Sequence, residues 1–197
     1  MRGLTPDAAG RRLAYFVRAQ RKAPLMEIRA ISDAGDLVAI TDLVHAAYLP
    51  HAQSGLRYWG THQSVDDTAK RIRSGTALVM LDGGRYLGIV IVRPPQPESA
   101  VPLYRQSNVW SISQFCVSPE YKGKGYGRKL HEKALSFASD AGAEFMALDT
   151  AEPAKSLIAM YQSWGYSIVG SCDWRTHTNY ESVLMKRALS NRGRVGP

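Results

Sequence analysis

The sequence has few cysteines, no long apolar run and no internal repeat. Cys116 and Cys172 are the only cysteines in 197 residues, and they lack the close spacing of a zinc site and the density of a disulfide scaffold. The longest apolar stretches, such as residues 87–92, are strand-sized and far shorter than the roughly 20 residues that cross a bilayer. We therefore predict a cytoplasmic protein with no membrane span and no metal ion.

Acidic residues are also in deficit, and the net charge is +8. The excess lies at the two ends of the chain, because residues 1–25 carry +5 and residues 186–197 carry +4, which leaves −1 for the residues between them. A nucleic-acid-binding protein normally carries its basic residues on one face of the fold itself. The distribution therefore argues against a nucleic-acid partner.

The same distribution suggests the domain organisation. Residues 1–25 form a basic leader without the apolar segment of a secretion signal; disorder, a transit peptide and an upstream translation start all remain open for it. Residues 26–187 have the size of one domain, and residues 188–197 form a basic tail.

Hydrophobic periodicity predicts a mixed α/β fold in the order βααβββαβαββ. The predicted strands are 25–32, 76–81, 85–93, 108–117, 144–149, 166–172 and 180–185, and the predicted helices are 33–48, 64–73, 125–141 and 153–164. Ser64 followed by Asp67 predicts a helix cap, and Asp82-Gly83-Gly84 predicts a hairpin turn. His131, within the third helix, is expected at the surface.

The most informative segment is residues 115–130, where a strand is followed by a turn with three alternating glycines and then by a helix. A helix N-terminus has unpaired N–H groups and the positive end of the helix dipole, so it stabilises an anion. Glycines let a diphosphate approach the backbone. The basic residues of the segment add charge: Lys122, Lys124, Arg128 and Lys129. This pattern predicts a pyrophosphate-binding turn.

Two other phosphate-binding loops do not fit these residues. A Walker loop requires Ser or Thr after Gly-Lys, whereas Gly123-Lys124 is followed by Gly125. The dinucleotide fingerprint requires glycine where Arg128 stands, and it follows the first strand of a fold.

The segment resembles the phosphate-binding motif of the GNAT superfamily of N-acetyltransferases, Gln/Arg-x-x-Gly-x-Gly/Ala. Lys122 stands at the Gln/Arg position, and Gly125 and Gly127 match the two small positions. A second segment, Leu157 to Tyr166, is similar to the Tyr-x-x-x-Gly-Phe motif of the same superfamily. The resemblance extends over about residues 26–187 and implies an acyl-CoA-dependent N-acetyltransferase with the GNAT fold.

The resemblance also implies where acetyl-CoA binds. In the superfamily, the strand before the glycine turn separates from its neighbour, and its backbone binds the pantetheine arm. The implied cofactor-binding residues are therefore those of this strand and turn: Phe115, Cys116, Val117, Lys122, Gly123, Lys124, Gly125, Tyr126, Gly127 and Arg128. Cys116 is expected to be a core residue rather than a covalent acyl carrier, because these enzymes usually transfer the acyl group directly.

For catalysis, the resemblance implies a general acid but not a general base. Tyr161 resembles the tyrosine that protonates the departing CoA thiolate. Ser111 stands where some protein-lysine acetyltransferases have a catalytic glutamate, and Ala154 replaces a cofactor-binding asparagine. The resemblance therefore assigns no general base, and Asp149 and Glu152, at the end of the fifth strand, are the candidates for one acting through water.

The resemblance also implies that two loops form the acceptor pocket. His51, His62, Tyr58 and Trp59 cluster between the first two helices, and the loop that ends at His177 is expected to form the opposite wall. We predict direct transfer of acetyl from acetyl-CoA to a primary amine of a small molecule. A protein or peptide amine, a non-catalytic acyl-CoA sensor and a homodimer remain open.

Overall fold

The computed structural model describes residues 26–31 and 36–190. The predicted leader and residues 191–197 of the predicted tail lie outside this part of the chain. The strands are β1 (Glu27–Ile31), β2 (Thr76–Asp82), β3 (Arg85–Arg93), β4 (Val109–Val117), β5 (Phe145–Ala151), β6 (Ser167–Asp173) and β7 (Glu181–Ala188). The helices are α1 (Leu37–Gln53), α2 (Val65–Arg73), α3 (Pro102–Arg105), α4 (Tyr126–Asp140) and α5 (Lys155–Ser163).

The seven strands form one sheet in the order β1-β2-β3-β4-β5-β7-β6. Neighbouring strands are antiparallel except β4 and β5, which are parallel and are joined through α4. The predicted mixed α/β fold is confirmed. Every predicted strand and helix forms, with small differences at their ends.

Helices cover both faces of the sheet. Alternate residues of β3 point to opposite faces, so that Val90 and Val92 pack with α4 and α5 whereas Ile89 and Ile91 pack with α1 and α2. The buried side chains on the α4 side include Leu130, Ala134 and Met146. This two-sided burial explains why β2 and β3 are apolar along most of their length.

Local signals fix several of the element ends. Ser64 and Asp67 form a reciprocal capping box at the start of α2, as the sequence predicts, with the Asp67 N–H donating to Ser64 Oγ at 3.0 Å. Helix α1 begins later than predicted, because Asp36 caps it, and continues past Tyr48 to Gln53. Pro50 lies in the last turn of α1; it cannot donate to the carbonyl of residue 46, but its own carbonyl accepts from the Ser54 N–H at 3.1 Å, which ends the helix.

Two parts of the sequence interpretation were incomplete or wrong. The loop after β3 contains a short helix, α3, which begins at Pro102 and was not predicted. The expected exposure of His131 is wrong, since its side chain is only 1% exposed. His131 is buried because it shares a helical stripe with Ala134, Leu135 and Ala138, three, four and seven residues further on, and that stripe faces the sheet.

Candidate active site

The candidate site is a cavity of about 680 Å³ between β4 and β5. The two strands pair only through residues 109–111 of β4 and 145–147 of β5, and beyond these residues they separate. Residues 112–117 then line one side of the cavity and residues 148–150 line the other. A cleft of this volume lies within the usual range for a small-molecule site.

A β-bulge in β4 shapes the wall of this cavity. Ile91 pairs with Ser113 and Ile89 pairs with Cys116, so β4 contains one residue more than β3 across the same interval. Gln114 lies in the bulge with φ +48°, a left-handed conformation that is uncommon for residues other than glycine. Both polar atoms of its buried side-chain amide lack a hydrogen-bond partner in the described part of the chain.

The glycine turn closes one end of the cavity and leads into α4. Gly123 and Gly125 have φ +74° and +79°, and a Cβ atom at either position would meet no atom within 4 Å. The first backbone hydrogen bond of α4 runs from the Lys129 N–H to the Gly125 carbonyl at 3.1 Å. The N–H groups of residues 126–128 therefore remain available to an anion. The open space and the free donors fit a pyrophosphate.

Most of the predicted cofactor-binding residues line this part of the cavity: Phe115, Cys116, Val117, Lys122, Gly123, Gly125, Gly127 and Arg128. Lys124 and Tyr126 do not, since both side chains pack against Tyr121 beside the turn. Burial raises the pKa of the Cys116 thiol to about 12, which agrees with the expectation of a core residue rather than a nucleophile.

Tyr161 belongs to α5 and packs in the core on the α4 side of the sheet. Its side chain is 6% exposed and lines the cavity, while its ring packs edge-on against Trp164 and Tyr166. Burial raises the pKa of its hydroxyl, with smaller contributions from Tyr166 and Tyr58. The hydroxyl is therefore protonated at neutral pH, as a general acid must be, although the raised pKa also makes it a weaker acid than an exposed tyrosine.

The two candidate bases occupy different environments. Asp149 is buried and lines the cavity, where it accepts hydrogen bonds from the Tyr104 hydroxyl at 2.7 Å and from Trp174 Nε1 at 3.1 Å. Burial raises the pKa of Asp149, and these hydrogen bonds oppose the shift. Glu152 is exposed, forms an ion pair with Lys155 and does not line the cavity. The geometry favours Asp149.

The predicted acceptor walls meet at the other end of the cavity. Trp59 stacks on His177, with ring centroids 4.2 Å apart, although the two residues come from loops that are distant in the sequence. Tyr58 packs on Tyr180 at 4.8 Å and forms a hydrogen bond with Thr150 Oγ1 at 3.2 Å. His51 also lines the cavity, whereas His62 does not.

Sequence reasoning did not identify two arginines of the site. Arg71 of α2 and Arg93 at the end of β3 both line the cavity. The Nε atom of each is buried and has no hydrogen-bond partner among residues 26–31 and 36–190. Burial lowers the pKa of each guanidinium, and Arg71 lowers that of Arg93 further.

Comparison with known proteins agrees with this geometry. The family model described as the acetyltransferase (GNAT) family matches residues 39–166. The chain belongs to the GNAT acetyltransferase family. It is therefore an N-acetyltransferase, and acetyl-CoA is the acyl donor that GNAT enzymes use.

Two curated GNAT relatives come from Bacillus subtilis (strain 168). The S-(2-succino)cysteine N-acetyltransferase is 29% identical over 156 residues, which cover 78% of this chain and 91% of the relative. The S-alkylcysteine N-acetyltransferase is 28% identical over 149 residues, which cover 73% of this chain and 79% of the relative.

Solved structures share the GNAT fold. The ribosomal-protein-S18-alanine N-acetyltransferase from Escherichia coli superposes with a TM-score of 0.64 at 16% identity, covering 88% of this chain and 99% of that one. A Salmonella typhimurium protein, solved with acetyl-CoA as its cofactor, superposes with a TM-score of 0.59 at 20% identity, covering 87% and 97%. At these identities the likeness establishes the fold alone.

The described part of this GNAT protein lacks both a helix that could span a membrane and a cluster of metal-binding side chains. In that part of the chain no helix has both the length and the apolar character needed to cross a membrane. Residues 26–31 and 36–190 also contain no group of three or more His, Cys, Asp or Glu side chains arranged to hold a metal ion.

Proposed function

We propose that this GNAT enzyme transfers the acetyl group of acetyl-CoA directly to the primary amine of a small molecule, in a ternary complex. The observation that carries the proposal is that one cavity is lined by the glycine turn, by the aromatic wall of the predicted acceptor loops, and by Tyr161 and Asp149. Donor and acceptor can therefore meet without a covalent enzyme intermediate. The two curated relatives support a small acceptor, because both are named for N-acetylation of cysteine conjugates.

Different segments of the chain bind the pyrophosphate and the pantetheine arm of acetyl-CoA. Free N–H groups at the start of α4 bind the pyrophosphate, and Lys122 and Arg128 add positive charge. The backbone of residues 115–117 borders the gap between β4 and β5, so it is placed to bind the pantetheine arm. Lys122 is itself held by a bond from its Nζ to the Ala47 carbonyl at 3.3 Å, which fixes the turn against α1.

Proton transfer is assigned to Asp149 and Tyr161. The acceptor amine forms a bond to the thioester carbonyl carbon, and the carbon–sulfur bond breaks to give an amide and the CoA thiolate. Asp149 receives the proton that the amine loses, through a water molecule, because its raised pKa makes it a stronger base than an exposed carboxylate. Tyr161 donates a proton to the thiolate, and proton exchange with solvent restores both groups.

The test is release of free CoA thiol from acetyl-CoA in the presence of amine panels. The panels contain S-substituted cysteines, polyamines, aminoglycosides and peptides. Tyr161→Phe should lower kcat by about 10²- to 10⁴-fold, which is the usual contribution of a general acid. Tyr86→Phe is the matched control, because Tyr86 packs with α1 and α2 and does not line the cavity.

Each possible result decides between functions. Turnover of small amines that depends on Tyr161 supports the proposal. Turnover of peptides alone would replace it with a peptide acetyltransferase. Binding of acetyl-CoA without turnover of any amine would replace it with an acyl-CoA sensor.

A further inference from the structure

The acceptor end of the cavity contains positive charge that acetyl-CoA does not require. Arg93 pairs with Ser111 at the start of β4, whereas the glycine turn follows Val117 at its end. Six residues separate these two points on β4, or roughly 20 Å at a strand rise of about 3.3 Å per residue. Arg93 is therefore remote from the pyrophosphate. Arg71 lies at the acceptor wall, because its guanidinium is 5.5 Å from the centroid of the Trp59 ring, which stacks on His177, and its charge lowers the pKa of Arg93.

The charges of the two arginines are not balanced within the described protein. Neither arginine forms an ion pair with a described residue, and the buried Nε of each has no partner among those residues. Arg71 lies over the ring of Trp59, 5.5 Å from its centroid, which stabilises the cation through the face of the ring but satisfies no N–H group. Both side chains are half-buried, and a buried Nε–H without a partner is unfavourable, so two such groups facing one cleft indicate an anionic ligand.

Asp149 cannot neutralise both arginines. It is the only acidic residue of the cavity lining, and its carboxylate already accepts hydrogen bonds from Tyr104 and Trp174. The acceptor end therefore holds two cations and one anion. This combination suits a ligand that carries at least one carboxylate as well as an amine.

We propose that the acceptor is an amine that also carries a carboxylate, such as an amino acid or an amino-acid conjugate, and that Arg71 and Arg93 bind this carboxylate. The planar guanidinium group donates paired N–H bonds that match a carboxylate, which lysine cannot reproduce. With its carboxylate on the two arginines, the ligand presents its amine towards Asp149. This inference rests on the proposed function and adds the residues that select the acceptor.

The experiment compares amines that differ only by a carboxylate. The matched pairs are ornithine and putrescine, phenylalanine and phenethylamine, and S-benzylcysteine and 2-(benzylthio)ethylamine, each assayed for kcat and KM at saturating acetyl-CoA. We expect the wild-type enzyme to prefer the carboxylated member of each accepted pair by at least tenfold in kcat/KM. A hydrogen bond to a charged group is worth about that factor or more.

Variants then connect the preference to the two arginines. Arg71→Gln and Arg93→Gln should each lower kcat/KM for carboxylated acceptors by roughly 10- to 100-fold, mainly through KM. Each should lower kcat/KM for carboxylate-free amines much less than for carboxylated ones, so that the preference for the carboxylated member of each pair falls. Arg93→Lys should recover only part of the loss, because it keeps the charge and loses the paired donors. Arg73→Gln is the matched control, since Arg73 is exposed on the same helix as Arg71.

Two further measurements separate the possible failures. Acetyl-CoA affinity and the midpoint of thermal unfolding show whether each variant is folded, and calorimetry measures S-benzylcysteine binding to the enzyme–CoA complex. Equal use of both members of each pair, or equal loss on both in the arginine variants, would overturn the carboxylate site and leave the acetyltransferase function intact. Arginine-dependent binding without acetylation of any amine would overturn the proposed function and leave the carboxylate site intact. Absence of both turnover and binding would overturn both.

Discussion

Lowering the pH from 7 to 4.5 should destabilise the fold through His131. The ring is buried between α4 and the sheet, where its Nε2 forms a hydrogen bond with the Tyr166 hydroxyl at 3.0 Å. Burial, together with the nearby cations Arg187 and Arg128, lowers the pKa of His131 from 6.5 to about 4. The imidazole is therefore neutral in the folded protein at neutral pH.

The direction and size of the effect follow from this shift. Between pH 6.5 and about pH 4, the unfolded chain binds a proton at His131 and the folded protein does not, so unfolding becomes more favourable as the pH falls. The stabilising contribution is complete above pH 6.5 and is lost by about pH 4. Each pH unit in this interval corresponds to about 1.4 kcal/mol, so two units remove about 3 kcal/mol from the free energy of unfolding.

Urea unfolding at pH 7.0 and at pH 4.5 measures this loss. Trp164 is a native fluorescence reporter, because its ring centroid lies 4.6 Å from that of His131. In His131→Phe the loss between the two pH values should be about 3 kcal/mol smaller than in the wild type, and His131→Gln should show the same difference if the phenylalanine variant does not fold. Groups that titrate in all variants, including Asp149, cancel in this comparison. His177→Phe, which removes an exposed ring, should behave as the wild type, and an unchanged pH dependence in both His131 variants would refute the reasoning.

Two further predictions concern the active site. Gly125→Ala should destabilise the fold by about 1 to 2 kcal/mol, because a Cβ is strained at φ +79°, and should weaken acetyl-CoA binding at least tenfold in calorimetry by filling the space beside the turn. Gly83→Ala introduces the same type of backbone strain in the β2–β3 turn, so it should lower stability without lowering the affinity for acetyl-CoA. If both variants lost the same affinity for acetyl-CoA, the glycine turn would not be the pyrophosphate-binding site. Asp149→Asn should lower kcat by about 10²- to 10⁴-fold, whereas Glu152→Gln should keep it within about twofold, and the reverse result would transfer the base to Glu152. Because burial raises the pKa of Asp149, the wild-type kcat/KM should begin to fall, as the pH is lowered, at a higher pH than an exposed aspartate would give.

The parts of the molecule that sequence could predict are those that depend on local patterns. The hairpin at residues 82–84 and the capping box at Ser64 follow from the chemistry of a few adjacent residues, and the glycine turn has a spacing that few other structures share. Periodicity also predicts the strands and long helices, because both faces of the sheet are buried.

The features that were missed depend on contacts between distant segments. Tyr104 reaches Asp149 only because α3 interrupts the loop after β3, and Pro102 at the first helical position was the available signal for that helix. Arg93 has a clearer signal in retrospect. Ile89, Ile91 and Arg93 are two residues apart on β3, so their side chains point to the same face of the sheet, towards α1 and α2. A charged side chain on that apolar face requires a partner that compensates its charge.

Several polar groups that line the cavity have no hydrogen-bond partner among the described residues, and they suit different ligands at its two ends. The N–H groups at the start of α4 provide donors at the phosphate end, and Arg71 and Arg93 provide donors at the acceptor end. Gln114 lies between them with both amide atoms unpartnered, in a strained bulge that would be unfavourable without a compensating role. The N–H groups at the start of α4 and the two half-buried arginines lie at different parts of one cavity, an arrangement that suits two anionic ligands, the pyrophosphate and the proposed acceptor carboxylate. If the acceptor binds as proposed, the binding energy of its carboxylate holds the amine beside the thioester, which would account for a charged pocket that the chemistry itself does not require.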